Sequence, residues 1–361
     1  MLGQPGSQVR WWLQWAAIPY ALVSALRARC YQWGWLTQRQ LPVPVISIGN
    51  LTVGGTGKTP MVIKAAEWLL ADGKRIAILS RGYRRISQDE QLLVSDGERL
   101  LVDAKEAGDE PFLIATRCPK AIVAVGSDRY KLGRWVLSRF PVDCIVLDDG
   151  FQHLALHRDV NLLLVDATDV NGLSAVVPAG RLREPLTAAR RATALIVTRA
   201  DAASQVTQVI DRLRSVNGPL LDTVQTVFRA EGLVALLTGE VQSPVMCRGK
   251  TALLCSGIGH AASFRAIADT LGIQVRREIR YPDHHSYSTN NLDEIRSQAR
   301  EHKAELVVTT EKDAGKIRPL LSQPDGNWLA VRLGVDVIAG ESRLKQLILQ
   351  HPMRVQAGVC A

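Results

Sequence analysis

Short runs of β-branched and aliphatic residues alternate along this chain with longer segments whose apolar positions recur every three to four residues. That alternation is the pattern of buried parallel strands linked by crossover helices. Runs at 45–48, 75–79, 121–125, 144–147, 161–166 and 194–198 read as strands, and 61–70 as the helix after the first of them. Up to about residue 220 the repetition predicts one doubly wound α/β domain. From 221 to 239 the pattern turns alternating and β-rich, and a partner run follows at 328–333. Two distant strands bracketing about 80 residues predict a two-stranded linker carrying an inserted second domain, with parallel strands at 251–255 and 306–309. A final amphipathic helix is expected at 341–350.

The first strand leads into Thr52-Val53-Gly54-Gly55-Thr56-Gly57-Lys58-Thr59-Pro60. A glycine-rich turn between strand and helix, closed by Lys-Thr, presents backbone N–H groups and a helix N-terminus to phosphates. Gly54, Gly55, Thr56 and Gly57 would cradle them. Lys58 would reach the β/γ-phosphates, and Thr59 would hold Mg²⁺ through its hydroxyl. Thr52 stands where the usual signature has its first glycine. About 90 residues on, Cys144 to Leu147 ends in Asp148-Asp149, the Walker B pattern, whose carboxylate would hold Mg²⁺ opposite Thr59.

Other polar clusters fall at predicted strand ends, where open α/β sheets place ligands. They are Ser80-Arg81-Gly82-Tyr83-Arg84-Arg85, Arg129, and Gln152-His153, which could face either phosphates or acceptor. The loop from Pro178 to Pro185 carries Arg181, Arg183 and Glu184 between helix breakers and suits anion binding or a place beside a metal. Gly108-Asp109-Glu110-Pro111 reads either as a helix start or as the source of a general base, Asp109 or Glu110. Adjacent His284 and His285 follow Asp283; they cannot easily turn to one metal, so an acid/base or orienting role is expected. Thr198-Arg199-Ala200-Asp201 resembles the guanine-selecting element of P-loop GTPases, with Arg in place of Lys.

Five of the eight tryptophans lie in the first 35 residues, and 8–32 reads as an amphipathic helix. Trp11, Trp12, Trp15, Ile18, Leu22, Val23 and Leu26 share a broad face; Arg10, Gln14, Ala17, Ala21, Ser24 and Ala28 line the narrow opposite side. Gln14 and Pro19 interrupt it too early for a membrane span, and the arginines around it suit a lipid headgroup surface. With 47% hydrophobic and 22% charged residues the composition excludes a disordered chain. The net charge of +9 fits an anionic partner, nucleic acid or acidic membrane, without choosing between them. Cys30, Cys118, Cys144, Cys247, Cys255 and Cys360 contain no Cys-x-x-Cys pair, so neither a zinc site nor a disulfide framework is signalled.

Seven motifs, taken in order, resemble one family over nearly the whole chain: Gly54 to Pro60, Ser80 to Tyr83, Gly108 to Pro111, Asp148 to His153, Pro178 to Pro185, Asp283 to His285 and Thr310 to Asp313. It is the tetraacyldisaccharide 4'-kinases, the lipid A 4'-kinases of Gram-negative bacteria, whose P-loop varies as Thr52 does. The resemblance implies a P-loop NTPase-like doubly wound α/β/α domain at 41–220 behind an N-terminal membrane-associating region at 1–40. It also implies a β linker at 221–245 and 326–335, a smaller α/β/α domain at 246–325, and a helix and tail at 336–361. The implied reaction moves the γ-phosphate of ATP, with Mg²⁺, to the 4'-hydroxyl of tetraacyldisaccharide 1-phosphate, giving lipid IVA in lipopolysaccharide biosynthesis. Its implied place is the cytoplasmic face of the inner membrane, as a peripheral or monotopic protein with no nucleic-acid partner. Asp109 matches the family's base and His284 its partner, with His285 as a possible substitute. Ser80, Arg81, Tyr83, Arg129, Gln152 and His153 are candidates for substrate contacts, and either arginine could serve ATP instead. Because Asp109 and His284 fall in different predicted domains, interdomain closure is expected to bring them together. A membrane-tethered P-loop ATPase switch and a GTP-dependent metal chaperone are the alternatives.

Overall fold

The strand Val45–Asn50 is buried at every position, as a run without polar alternation requires when both sheet faces are covered. The protein is described here by a computed structural model over residues 11–201, 206–218, 222–322 and 327–350. Arg10, Leu221, Cys360 and the tail beyond 350 lie outside the described residues. Val45–Asn50 pairs in parallel with Cys144–Asp148 on one side and Val160–Asp166 on the other. Ala194–Thr198 and the start of Asp222–Ala235 continue the parallel order. This is an α/β fold, as the strand-and-helix alternation predicted, and its P-loop NTPase-like kind is the one the family resemblance implied.

The chain forms two compact units. The first comprises Met1–Lys58, Arg129–Val227 and Val337–Ala361. Leu163, Val165, Leu195 and Val197 from its strands form a core with Val209 and Leu213 of the helix Val206–Asn217. The helix Trp11–Gln32 rests on this core through Ala17, with Ala21 beside it. Small side chains let the helix approach closely. Its bulky face stays outside: Trp15 and Val23 are each 67% exposed and Leu22 64%.

The second unit comprises Thr59–Asp128 and Phe228–Asp336. Ile76–Ser80 pairs in parallel with Ile122–Gly126, which is flanked by the antiparallel strand Gln91–Asp96. That last strand went unpredicted, since its short apolar stretch sits among charged residues. Thr251–Ser256 lies between Gln274–Arg280 and Leu306–Thr310, and Leu306–Thr310 pairs with Trp328–Ala339, all in parallel.

Residues 59–128, expected within the first domain, thus cluster with 228–336. The physical reason is local. The helix Asp109–Arg117 packs on the helix Glu311–Ile317. Arg117 ends the former helix buried, donating to Glu311 at 2.9 Å, Glu231 at 2.9 Å and the Leu333 carbonyl at 3.1 Å. Burial pushes the Glu311 carboxyl up, although Arg117 and Arg332 oppose the shift. Removing either partner of such a pair would strand a buried charge, so the contact is well specified.

Candidate active site

In the first unit the glycine loop leaves its strand through Asn50, whose amide donates to the Thr52 carbonyl at 2.8 Å. Gly54 and Gly57 take φ of +113° and +87°, conformations that side chains with a Cβ rarely adopt. Lys58 opens the following helix, with Nζ 3.3 Å from Asn50 Oδ1 and 3.8 Å from Asp149 Oδ1. Asp149 follows the buried Asp148 at the strand end, in a left-handed conformation with φ of +53°. Such backbone is uncommon for a non-glycine residue and recurs where a side chain must be aimed. Arg183 donates to Asp149 at 2.8 Å. Burial pushes the Asp149 carboxyl up, but Lys58, Arg183 and Arg129 outweigh it and hold the group below the usual carboxylate range.

The surrounding loops brace this arrangement. Arg181 donates to the Val53 carbonyl at 2.8 Å, and the Val53 amide returns a bond to the Arg181 carbonyl at 2.8 Å. Tyr20 of the N-terminal helix donates its hydroxyl to the Arg183 carbonyl at 2.8 Å. Gln152 donates to the Asn50 carbonyl at 2.8 Å, so its amide supports the P-loop strand. Half-buried His153 follows it. Thr198 donates to the Thr56 carbonyl at 3.0 Å; Arg199 donates to the Gly55 carbonyl at 3.3 Å and pairs with Asp166. The segment resembling a base-selecting element therefore holds the P-loop backbone itself. The sequence had singled out its residues but not this bracing role.

In the second unit a different chemistry gathers. Gly108 has φ of +93°, and a Cβ there would lie 3.1 Å from the Tyr83 carbonyl, so only glycine lets this turn approach the Ser80 to Tyr83 loop. Gly108 caps the helix Asp109–Arg117, which leaves the Asp109 side chain free of capping. Its Oδ2 is 3.1 Å from His284 Nδ1 and 3.1 Å from Lys316 Nζ. Burial pushes the Asp109 carboxyl up; the His284 hydrogen bond and the Lys316 charge prevail and keep it below the ordinary value. His284 adopts φ of +63°, and its Nε2 lies 3.3 Å from Lys312 Nζ. Tyr83 sets its ring edge-on to His284, with centroids 5.4 Å apart.

His285 points elsewhere, with Nε2 3.1 Å from Asn291 Oδ1 and its ring stacked on Tyr281 at 4.3 Å. The adjacent histidines diverge, as their shared backbone predicted. Among the described residues no group of three or more His, Cys, Asp or Glu side chains gathers in a way that could hold a metal ion. Ser80 is buried at its strand end and Arg81 is exposed beside it. Arg129, only 5% exposed, lies in the first unit and acts on Asp149. The expected closure is not needed to join Asp109 to His284: both belong to the second unit and already touch. Lys312 and Lys316 received no role from the sequence beyond the place of Lys312 in the motif Thr310 to Asp313; the structure sets them four residues apart on one short helix.

The family profile described as Tetraacyldisaccharide-1-P 4'-kinase matches residues 9–352. The chain belongs to this family. A tetraacyldisaccharide 4'-kinase of Geobacter sulfurreducens is 40% identical over 310 residues, 85% of each chain. One from Geobacter metallireducens is 39% identical over 307 residues, 85% of this chain and 88% of the relative. Among solved structures, the crystal structure of LpxK from Aquifex aeolicus in complex with ATP superposes with a TM-score of 0.74 and 35% identity, covering 92% of this chain and 96% of that one.

Proposed function

We propose that this protein transfers the γ-phosphate of ATP to the 4'-hydroxyl of a tetraacylated glucosamine disaccharide 1-phosphate, producing lipid IVA for lipid A. The observation that carries the reading is the Asp109–His284 contact at 3.1 Å in a chain that also carries a P-loop with Lys58. A sugar hydroxyl is a weak nucleophile and needs a group to take its proton as the new O–P bond forms. Asp109, held ionised, accepts that proton while the bond from phosphorus to the leaving ADP oxygen breaks. His284 and Lys316 orient the carboxylate. Lys58 and the amides from Gly54 to Thr59 neutralise charge on the transferring phosphoryl group.

Thr59, Asp148 and Asp149 offer the hard oxygen donors that Mg²⁺ prefers, and the depressed Asp149 carboxyl suits a cation ligand. Held by these residues, Mg²⁺ would supply positive charge against the phosphates. The action of Arg129 on Asp149 favours the ATP phosphates as its partner. Tyr83, beside His284, and exposed Arg81 suit the disaccharide and its 1-phosphate. Ser80 at the root of that loop and His153 after the Walker B carboxylates complete the candidate substrate contacts.

The acceptor is a lipid, which gives the N-terminal helix a purpose. Ala17 and Ala21 face the protein while Trp15, Leu22, Val23 and Leu26 stay more than half exposed, the arrangement of a helix lying in a headgroup layer. No helix among the described residues is long and apolar enough to cross a membrane. The exposed apolar face supports peripheral or monotopic attachment to a lipid surface, which on the kinase reading is the cytoplasmic face of the inner membrane. Neither alternative is favoured: an ATPase switch needs no Asp109–His284 pair, and a metal chaperone gains nothing from divergent histidines.

The test is transfer of ³²P from γ-labelled ATP to tetraacyldisaccharide 1-phosphate in detergent micelles. Wild type should label the lipid, and Asp109→Ala should lose at least about a hundredfold in rate. Label passing only to water, at equal rates in both proteins, would overturn the kinase reading.

A further inference from the structure

Lys312 and Lys316 stand one turn apart on the helix Glu311–Ile317, and each reaches one half of the acid–histidine pair. Lys316 Nζ lies 3.1 Å from Asp109 Oδ2, whereas Lys312 Nζ lies 3.3 Å from His284 Nε2. Lys312 is itself held by Asp283 Oδ1 at 3.3 Å and faces Glu110 Oε1 at 3.8 Å.

The chemistry of these donors selects one form of the ring. An ammonium can only donate, so His284 Nε2 must offer it a lone pair. An ionised carboxylate can only accept, so the Nδ1 that faces Asp109 must carry the proton. Both neighbours therefore favour the same neutral tautomer, protonated at Nδ1. The His284 amide, bonded to the Gly257 carbonyl at 3.1 Å, helps fix the backbone from which the ring projects.

We propose that Lys312 is a positioning residue that locks His284 in the Nδ1–H tautomer, so that His284 aims Asp109 and does not relay its proton. A relay would require Nδ1 to take the proton from Asp109 while Nε2 carried another toward an ammonium, which like-charge repulsion opposes. Asp109 Oδ2 instead receives two donors, His284 Nδ1–H and Lys316, and Oδ1 is left to take the acceptor's hydroxyl proton. That proton stays on Asp109 through phosphoryl transfer. The part concerning the hydroxyl rests on the kinase reading; the tautomer does not.

The groups facing His284 define what loss of Lys312 would do. They are Asp109 and Glu110 from one helix, Lys312 and Lys316 with its partner Asp313 from another, Asp283 on its own loop, and Tyr83 with Arg84, which donates to the Asp283 carbonyl at 3.0 Å. Asp283 Oδ2 lies 3.8 Å from Nε2. Without the ammonium, His284 would stand between two carboxylates and gain a second proton more readily. An imidazolium against Asp109 would weaken it as a base.

The decisive experiment is two-bond ¹H–¹⁵N correlation spectroscopy on the full-length protein labelled in histidine, with His284→Gln to assign the signal. A pH profile of kcat for lipid phosphorylation accompanies it. Wild type should show Nδ1 protonated and Nε2 bare near pH 7. Lys312→Met should add a proton at Nε2 and move the acid limb of kcat up by about one pH unit, whereas Lys312→Arg, still able to donate, should keep the tautomer. A wild-type ring protonated at Nε2 would overturn the proposal, as would a Lys312→Met protein unchanged in both spectrum and profile. If Lys312→Met fails to fold, the wild-type spectrum decides alone. Absence of lipid phosphorylation by wild type with the expected ring would sink the kinase reading and leave the tautomer assignment standing.

Discussion

Lys316 holds two carboxylates at once, and its replacement by methionine is the most informative perturbation of stability in the second unit. Its ammonium, with the side chain 8% exposed, lies 3.1 Å from Asp109 Oδ2 and 3.2 Å from Asp313 Oδ1. Asp313 is fully buried and also accepts from the Gly257 amide at 2.9 Å and the Thr310 hydroxyl at 2.8 Å. At a separation near 3 Å and an effective dielectric constant of about 20, the attraction of Lys316 for Asp109 is about 5 kcal/mol before desolvation is subtracted. Desolvation of two nearly buried groups removes much of this, leaving an expected coupling of about 2 kcal/mol. Lys316→Met alone should destabilise by about 3–5 kcal/mol, because Asp109 and Asp313 both lose their cation. The assay is urea unfolding at pH 7 of wild type, Lys316→Met, Asp109→Asn and the double variant. The double variant should be less destabilised than the sum of the singles by that coupling, while Asp313 keeps it from full recovery. A coupling below about 0.5 kcal/mol would show that the pair does not interact appreciably and refute the electrostatic reading of this cluster.

Acid should act through the same groups. Asp109 and Asp149 both have carboxyls held below the ordinary value, so their stabilisation is fully present above about pH 3.9 and is lost as pH falls through the folded-state values. Urea midpoints measured from pH 6 down to pH 2.5 should fall more steeply for wild type than for Asp109→Asn; parallel curves would remove Asp109 from the account. For the N-terminal helix, flotation with vesicles containing anionic lipid should carry wild type upward. Replacing Trp15, Leu22 and Val23 together by serine should reduce the bound fraction at least about tenfold without shifting the thermal midpoint, since these side chains are exposed. Equal flotation of both proteins would exclude this face as the membrane contact.

Much of this arrangement was legible in the chain. Continuous apolar runs such as 144–147 and 194–197 specify strands buried on both faces, and a glycine loop ending in Lys58-Thr59 specifies a strand-to-helix turn, because these are consequences of local sterics and period. The division of the N-terminal helix into a small-residue side and a bulky side was likewise readable at 100° per residue. Only the tertiary structure showed that Ala17 and Ala21 meet the protein and that Trp15, Leu22 and Val23 stay exposed.

Long-range pairing was legible only through the family resemblance, which matched Asp109 to a base and His284 to its partner. Nothing local to Asp109 states that residue 284 will meet it, and nothing in Asp283-His284-His285 says which imidazole turns inward; opposite side-chain directions and the φ of +63° at His284 decide that. Lys312 and Lys316 gained partners only when the helix carrying them packed on Asp109–Arg117. Arg199 likewise became a brace for the P-loop only when Ala194–Thr198 aligned beside Val160–Asp166. Strands, helices and the phosphate loop follow from neighbours along the chain, which the sequence by itself determines. The Asp109 cluster joins residues about 200 positions apart, and only folding could bring their charges within hydrogen-bond reach.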